Sequence, residues 1–193
     1  MTTQHHVLLP RTPWAGPSAF QIRGEEAYIH RGRMIDPPLT GLAYELRVDD
    51  HAKDLHAFPP LDLHDAGKGH LLMSSKLIAC LKQLPVANLQ LFPAAVVYLP
   101  TGQEVDYQVV NILGLVSALD TNASDCQLDD DGFVEGFDTL VLDEKRAGDH
   151  DLFRLYESFH TIVVSQRLRD CLEEAAITGM QLLRQDEWRP GML

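Results

Sequence analysis

The sequence predicts an α+β fold: a single domain, 1–193, with a mixed, mainly antiparallel sheet and two principal helices packed on it. Three observations predict it. Two stretches carry apolar residues at helical spacing behind a serine. The other apolar residues fall in short runs rich in Val, Ile, Phe and Tyr, separated by turn residues. No internal repeat is visible that would signal a solenoid or propeller. A chain of 193 residues, 45% of them hydrophobic, buries about 70% of its extended surface, enough for a core that needs no disulfide or metal.

Residues 1–20 contain Pro10, Pro13 and Pro17 and read as an irregular arm pinned by Trp14 or Phe20. The alternation in EAYIHR, with Tyr28 and His30 on one side, and in ELRV, with Leu46 and Val48 together, predicts half-buried strands. Asp49 to Gly69 is polar and broken by Pro59, Pro60, Gly67 and Gly69, so a long loop or short helical insertion is expected. In SSKLIACLKQL, Ser74 or Ser75 caps a helix whose buried face is Leu77, Ile78, Leu81 and Leu84, and Pro85 ends it. FPAAVVYL and DYQVVNIL, joined by the turn residues at 100–104, predict an antiparallel hairpin, and DTLVLDE, DLFRLYE and TIVVS three more strands. The second helix runs through SQRLRDCLEEAAITG. Ser165 is its N-cap, Leu168, Cys171, Leu172, Ala175 and Ala176 form its apolar stripe, and Gly179 its stop. Its charges oppose the macrodipole, with Arg167 and Arg169 early and Glu173 and Glu174 late, so packing must hold it. GMQLLRQ closes the fold as an edge strand, and a polar tail follows from Asp186.

Sixteen Lys and Arg against 28 Asp and Glu give a net charge of −12, which repels nucleic acid and anionic membrane surfaces and favours a basic partner. From Asp120 to Asp151 eleven acidic residues face only Lys145 and Arg146, a net of −9, so the electrostatic face belongs to the second half of the chain. Cys80, Cys126 and Cys171 are odd in number and widely spaced, which predicts free thiols in a reducing compartment. On apolar helix faces, Cys80 and Cys171 read as small buried hydrophobes, with a reactive thiol as the alternative. The N-terminus lacks a cationic lead and its apolar run stops at Pro10, and Val109–Leu119 is too short to span a bilayer. A cytoplasmic protein is expected.

Motifs for chemistry are weak. DCQLDDDGFVEGFD resembles a calcium loop, but it would put Gln127 at the first ligand position and Asp138 where a bidentate Glu belongs, so a solvated acidic loop is preferred. His51, His56, His64 and His70 lie on a loop-rich stretch with no zinc-ligand spacing. His150-Asp151 lacks the further histidines of a metal-dependent phosphohydrolase, Ser165 has no nucleophile elbow, and no Gly-rich phosphate cradle occurs. No catalytic residue, metal site or cofactor is predicted. Asp120, in ALDTNASD, suits a side-chain-bonded turn, and Arg154 suits either a buried ion pair or a surface contact.

LMSSKLIACLKQLPVANLQLFPAAVVYLP, YQVVNILGLVSALDTNASD and LFRLYESFHTIVVSQRLRDCLEEAAITGMQLL, in that order, carry a family pattern. Its marks are Phe92-Pro93, Tyr107 with Asn111, Ala118-Leu119-Asp120 followed by Ser124, Phe153-Arg154-Leu155, and Ser165 leading to Thr178-Gly179. Over residues 71–183 the chain resembles family eleven of the bacterial polymorphic-toxin immunity proteins, formerly a domain of unknown function. Residues 1–70 then form a variable part and 184–193 a tail. The resemblance implies a non-enzymatic role, binding and inhibiting by occlusion a cognate toxin that is secreted or delivered by contact. The alternative is a small-molecule hydrolase or calcium-tuned binding domain using the acidic loop 125–138.

The partner-binding residues expected are Asp129, Asp130, Asp131 and Glu135, steering encounter, interleaved with Phe133 and Phe137 as anchors. The competing reading is that the two phenylalanines pin the loop to the core while the aspartates face water.

Overall fold

A computed structural model of the chain describes residues 4–11, 17–24, 29, 31–48 and 58–189. Trp14, Tyr28, His30, His51 and His56 lie outside the described residues, and with them most of the expected EAYIHR strand; Ile29, which is described, is buried but not in a strand.

In chain order the strands are β1 (His5–Pro10), β2 (Ser18–Arg23), β3 (Leu42–Arg47), β4 (Leu63–Asp65), β5 (Leu71–Ser74), β6 (Leu89–Tyr98), β7 (Gln103–Val105), β8 (Tyr107–Ile112), β9 (Leu115–Val116), β10 (Asp125–Leu128), β11 (Val134–Thr139), β12 (Leu152–Leu155), β13 (Ile162–Ser165) and β14 (Met180–Leu183). The helices are α1 (Ser75–Leu81), α2 (Glu144–Ala147) and α3 (Gln166–Glu174). The class is mixed as expected, but the described strands do not form one sheet. One sheet has the order β14-β1-β13-β12-β9, a second has β2-β3-β6-β8-β5-β4 with β7 against β6, and β10-β11 stands apart as a hairpin. The pairs β3/β6 and β9/β12 are parallel and the others antiparallel.

Several expectations change. The described part of the N-terminal arm is mostly strand: β1 is an inner strand, with Pro10 only at its end, and β2 carries Phe20, which is 46% exposed under the Arg47 guanidinium. Part of the expected loop before Gly69 is β4, which returns through Gly67 and Gly69 to β5. DTLVLDE is not a strand of its own: Asp138 and Thr139 end β11, Leu140 and Leu142 enter the core beyond it, Leu142 in an isolated bridge with Leu119, and Asp143 caps α2. α3 ends at Glu174 with Ala175 as its C-cap, and Ala176 follows in the left-handed region at φ 47°. Gly179 instead permits a close approach of two backbones, since a Cβ there would stand 2.2 Å from the Leu63 carbonyl oxygen.

Alternation along the inner strands builds a layered core. Leu8, Ile162 and Val164 of the first sheet and Leu71, Val110 and Ile112 of the second point into one cluster with α1 and α3. Val7, Phe153 and Val163 point the other way, beneath Phe137, Ala147 and Trp188. Leu72, Phe92 and Val109 form the far face of the second sheet with Tyr44 and Leu39. No helix among the described residues is long and apolar enough to cross a membrane.

The layers contain a repeated plan that pattern reading does not show. In β4-β5-α1-β6 the Ser74 hydroxyl caps α1 by accepting from Leu77 N–H (3.2 Å) and donates to Asp62 (2.7 Å). In β12-β13-α3-β14 the Ser165 hydroxyl accepts from Leu168 N–H (3.2 Å) and donates to Asp151 (2.6 Å). Lys76 pairs with Asp62, and Arg167 with Asp151. A middle strand completes each antiparallel set of four: β8 lies between β5 and β6, and β1 between β13 and β14. The shared local pattern is Ser-x-(Lys/Arg)-Leu-x-x-Cys-Leu, at 74–81 and 165–172.

Candidate functional site

The acidic segment folds as the β10-β11 hairpin because its turn chemistry is internal. Asp129 accepts hydrogen bonds from the N–H groups of Asp131 (3.0 Å) and Phe133 (2.8 Å), and Gly132 supplies the left-handed residue at φ 81°. Asp129 is therefore a turn-former as well as a surface charge. Asp130, Asp131 and Glu135 are exposed, and their carboxylates form no ion pair among the described residues.

The two phenylalanines separate. A simple alternation would put Phe133, Glu135 and Phe137 on one side, but the register jumps from Gln127↔Gly136 to Leu128↔Val134. Glu135 is the extra, bulged residue, and the bulge turns the strand over. Phe137 is 7% exposed and meets Trp188 edge-on at 5.3 Å, so it anchors the hairpin to the core and is not open to a partner. Phe133 remains at the surface boundary. Its ring packs on Tyr156 at 5.5 Å and edge-on to Phe159 at 6.1 Å, with the Arg31 guanidinium 5.8 Å from the Phe159 ring.

Tyr156 and Phe159 come from the turn between β12 and β13, and sequence reasoning missed them. YESFH between two strands is the available signal, but nothing local says that this turn meets the acidic hairpin. The junction is made by the backbone: Val134 N–H donates to the Glu157 carbonyl (2.7 Å) and Tyr156 N–H to the Val116 carbonyl (2.9 Å). Buried Arg154 supports the turn from below by donating to the Phe159 carbonyl (3.0 Å). Of its two expected roles it takes neither. It is 2% exposed and forms no ion pair among the described residues, and burial lowers its pKa to about 10, partly opposed by the field of Asp65. The Glu157 side chain is also buried and accepts from the Ser117 hydroxyl (2.5 Å).

Residues weighed for chemistry have structural partners. His150-Asp151 lines an open cleft of about 500 Å³, but the Asp151 carboxylate is occupied by Ser165 and Arg167, and the His150 ring lies against Phe153 at 6.1 Å. His64 and His70 sit apart, one on Tyr107 at 5.8 Å and the other bonded to the Tyr44 hydroxyl (2.5 Å). Burial first of all lowers the His64 pKa to about 4, so the ring is neutral. Asp120 accepts from the N–H groups of Asn122 (3.0 Å) and Ala123 (3.1 Å), the side-chain-bonded turn that its sequence predicts. No three His, Cys, Asp or Glu side chains gather as a metal-binding set among the described residues.

These contacts leave at the surface an aromatic platform of Phe133, Tyr156 and Phe159 beside exposed Asp130, Asp131 and Glu135. The family model described as "Immunity protein family (Imm11)" matches residues 6–187. The match takes in most of residues 1–70, where no family mark was expected. A search of the curated proteins gave no match.

Proposed function

The chain belongs to the Imm11 immunity protein family, and from that premise we propose that it binds a cognate bacterial toxin, secreted or delivered by contact, and inhibits it by occlusion without turnover. The observation that carries the proposal is the platform of Phe133, Tyr156 and Phe159 rimmed by Asp130, Asp131 and Glu135. Tyr156 is 42% exposed, and a partly exposed aromatic held by neighbouring rings is a low-entropy anchor. The rim suits a basic partner and speeds its approach. Asp129 belongs to the same surface but also holds the turn. Phe137 acts only through the hairpin that it anchors. We place the encounter in the cytoplasm, with a toxin whose target is cytosolic, such as nucleic acid, nucleotide or the translation machinery; three unbridged cysteines, an odd number set far apart along the sequence, support this.

Binding kinetics with the cognate toxin test the reading. Reversing Asp130 and Asp131 to Lys should slow association about tenfold at low salt and converge with the wild type at high salt. Tyr156→Ala should speed dissociation about thirtyfold, the equivalent of about 2 kcal/mol at a hot spot. Unchanged rates in both variants would place the interface elsewhere. Loss of co-expression rescue in both, with the fold intact by circular dichroism, is the expected cellular counterpart.

A further inference from the structure

The repeated plan brings two thiols together. Cys80 and Cys171 occupy the same place in the two units, each six residues beyond the capping serine, and their sulfurs are 2.9 Å apart at the seam between α1 and α3. Equivalent residues meet in this way where two like elements pack about a local two-fold. Each helix is held at its start by its serine cap and along its length by Leu77 and Leu81, or Leu168 and Leu172, in one buried cluster. The sulfurs are therefore positioned by rigid elements. Exposure divides the roles: Cys80 is 2% exposed, whereas Cys171 is only partly buried. Cys126 is distant in the fold, on β10.

We propose that Cys80 and Cys171 form a peroxide-reactive dithiol, converted by hydrogen peroxide to an intramolecular disulfide that locks α1 to α3. The partly exposed Cys171 reacts first. Its thiolate attacks one peroxide oxygen, the O–O bond breaks, and the departing hydroxide takes up a proton to leave as water, giving the Cys171 sulfenic acid. The Cys80 sulfur then attacks the Cys171 sulfur, the S–O bond breaks, and the departing hydroxide takes the Cys80 proton as a second water. Two thiols lose two electrons and one peroxide gains them. Burial, reinforced by the neighbouring Cys171, pushes the Cys80 thiol up to about 12, which disfavours Cys80 as the first thiol to meet peroxide. The resulting link closes a loop of 91 residues, long enough to restrict the unfolded chain strongly.

The test uses the purified full chain with Cys126→Ala, so that Cys80 and Cys171 are the remaining thiols. One equivalent of hydrogen peroxide, followed by iodoacetamide, should give a monomer lighter by two hydrogens, unalkylated, with the two cysteine peptides linked. Its Tm should rise by roughly 5–10 °C and return to the starting value with dithiothreitol. A second variant, Cys126→Ala with Cys171→Ala, replaces only the partly exposed partner and should show neither the link nor the rise. A linked dimer, a Cys171 sulfinic acid with Cys80 still alkylatable, or a link without a rise in Tm would each overturn the proposal.

Discussion

The two ββα units share caps, acidic partners and helix pattern, and they differ where the strands turn. Unit one returns from β4 to β5 through Gly67 and Gly69, both left-handed, and Ala66 N–H and His70 N–H close the turn on backbone carbonyls. Unit two returns from β12 to β13 through residues 156–161, which hold no glycine and carry the exposed or half-exposed rings of Tyr156 and Phe159. The strand hydrogen bonds are indifferent to this exchange, because the turn lies outside the register that pairs Leu63 with Met73 and Leu152 with Val164. The unit is a frame, and the turn is where the second unit gains the aromatic side chains that the first lacks.

The comparison can be broken most severely at the second strand position, where unit one has His64 and unit two Phe153, each 1% exposed. Phe153→Ala should cost about 4 kcal/mol of unfolding free energy, by lost burial and a residual cavity, read in urea or guanidinium titrations. Only unit one titrates at this position. The unfolded chain binds a proton at His64 near pH 6.5 and the folded chain only near 4, so stability present above pH 6.5 is lost as pH falls towards 4, by up to about 3 kcal/mol. The lowered pKa values of His6 and His160 act in the same direction. In His64→Gln, which keeps an acceptor for the Leu61 N–H, the midpoint should depend less on pH across that window.

The caps sharpen the likeness. Ser165 is fully buried and Ser74 partly exposed, so Ser165→Ala should cost about 2 kcal/mol and Ser74→Ala about 1 kcal/mol. Equal costs would mean that burial does not separate the two caps. The smallest effect is expected at the hairpin rim: reversing Asp130 and Asp131 should move the unfolding free energy by no more than about 0.5 kcal/mol while changing association with the toxin.

What the sequence announces is local. α1 and α3 are legible because serine caps and leucine spacing lie within one short stretch, and the β6 hairpin because both of its arms flank one turn. β1 is not legible. Its partners lie at the other end of the chain, and its two histidines look like surface residues until Glu144 and the His150 carbonyl bond His5, and Gln166 bonds His6. The repeated plan is hidden for the same reason, since its middle strand follows β6 in one unit and precedes everything else in the other. At the candidate site the exposure of Asp130 and Asp131 follows from composition. The inward turn of Phe137 depends on a bulge, and the company of Phe133 on a turn well further along the chain.

The borrowed middle strand has a consequence for how the protein comes into being on the ribosome. β8 emerges soon after β4, β5 and β6, so the first unit can close on neighbours already made. β1 emerges early and waits: His5 pairs with Ser165, and Val7 with Leu183. Until translation passes residue 183, the slot between β13 and β14 does not exist, and β1 is an apolar strand without a sheet. The turn that carries Tyr156 and Phe159 belongs to this late half. A ribosome that stalls short of residue 183 therefore leaves β1 without its β14 neighbour, while the strands of the first unit are already made.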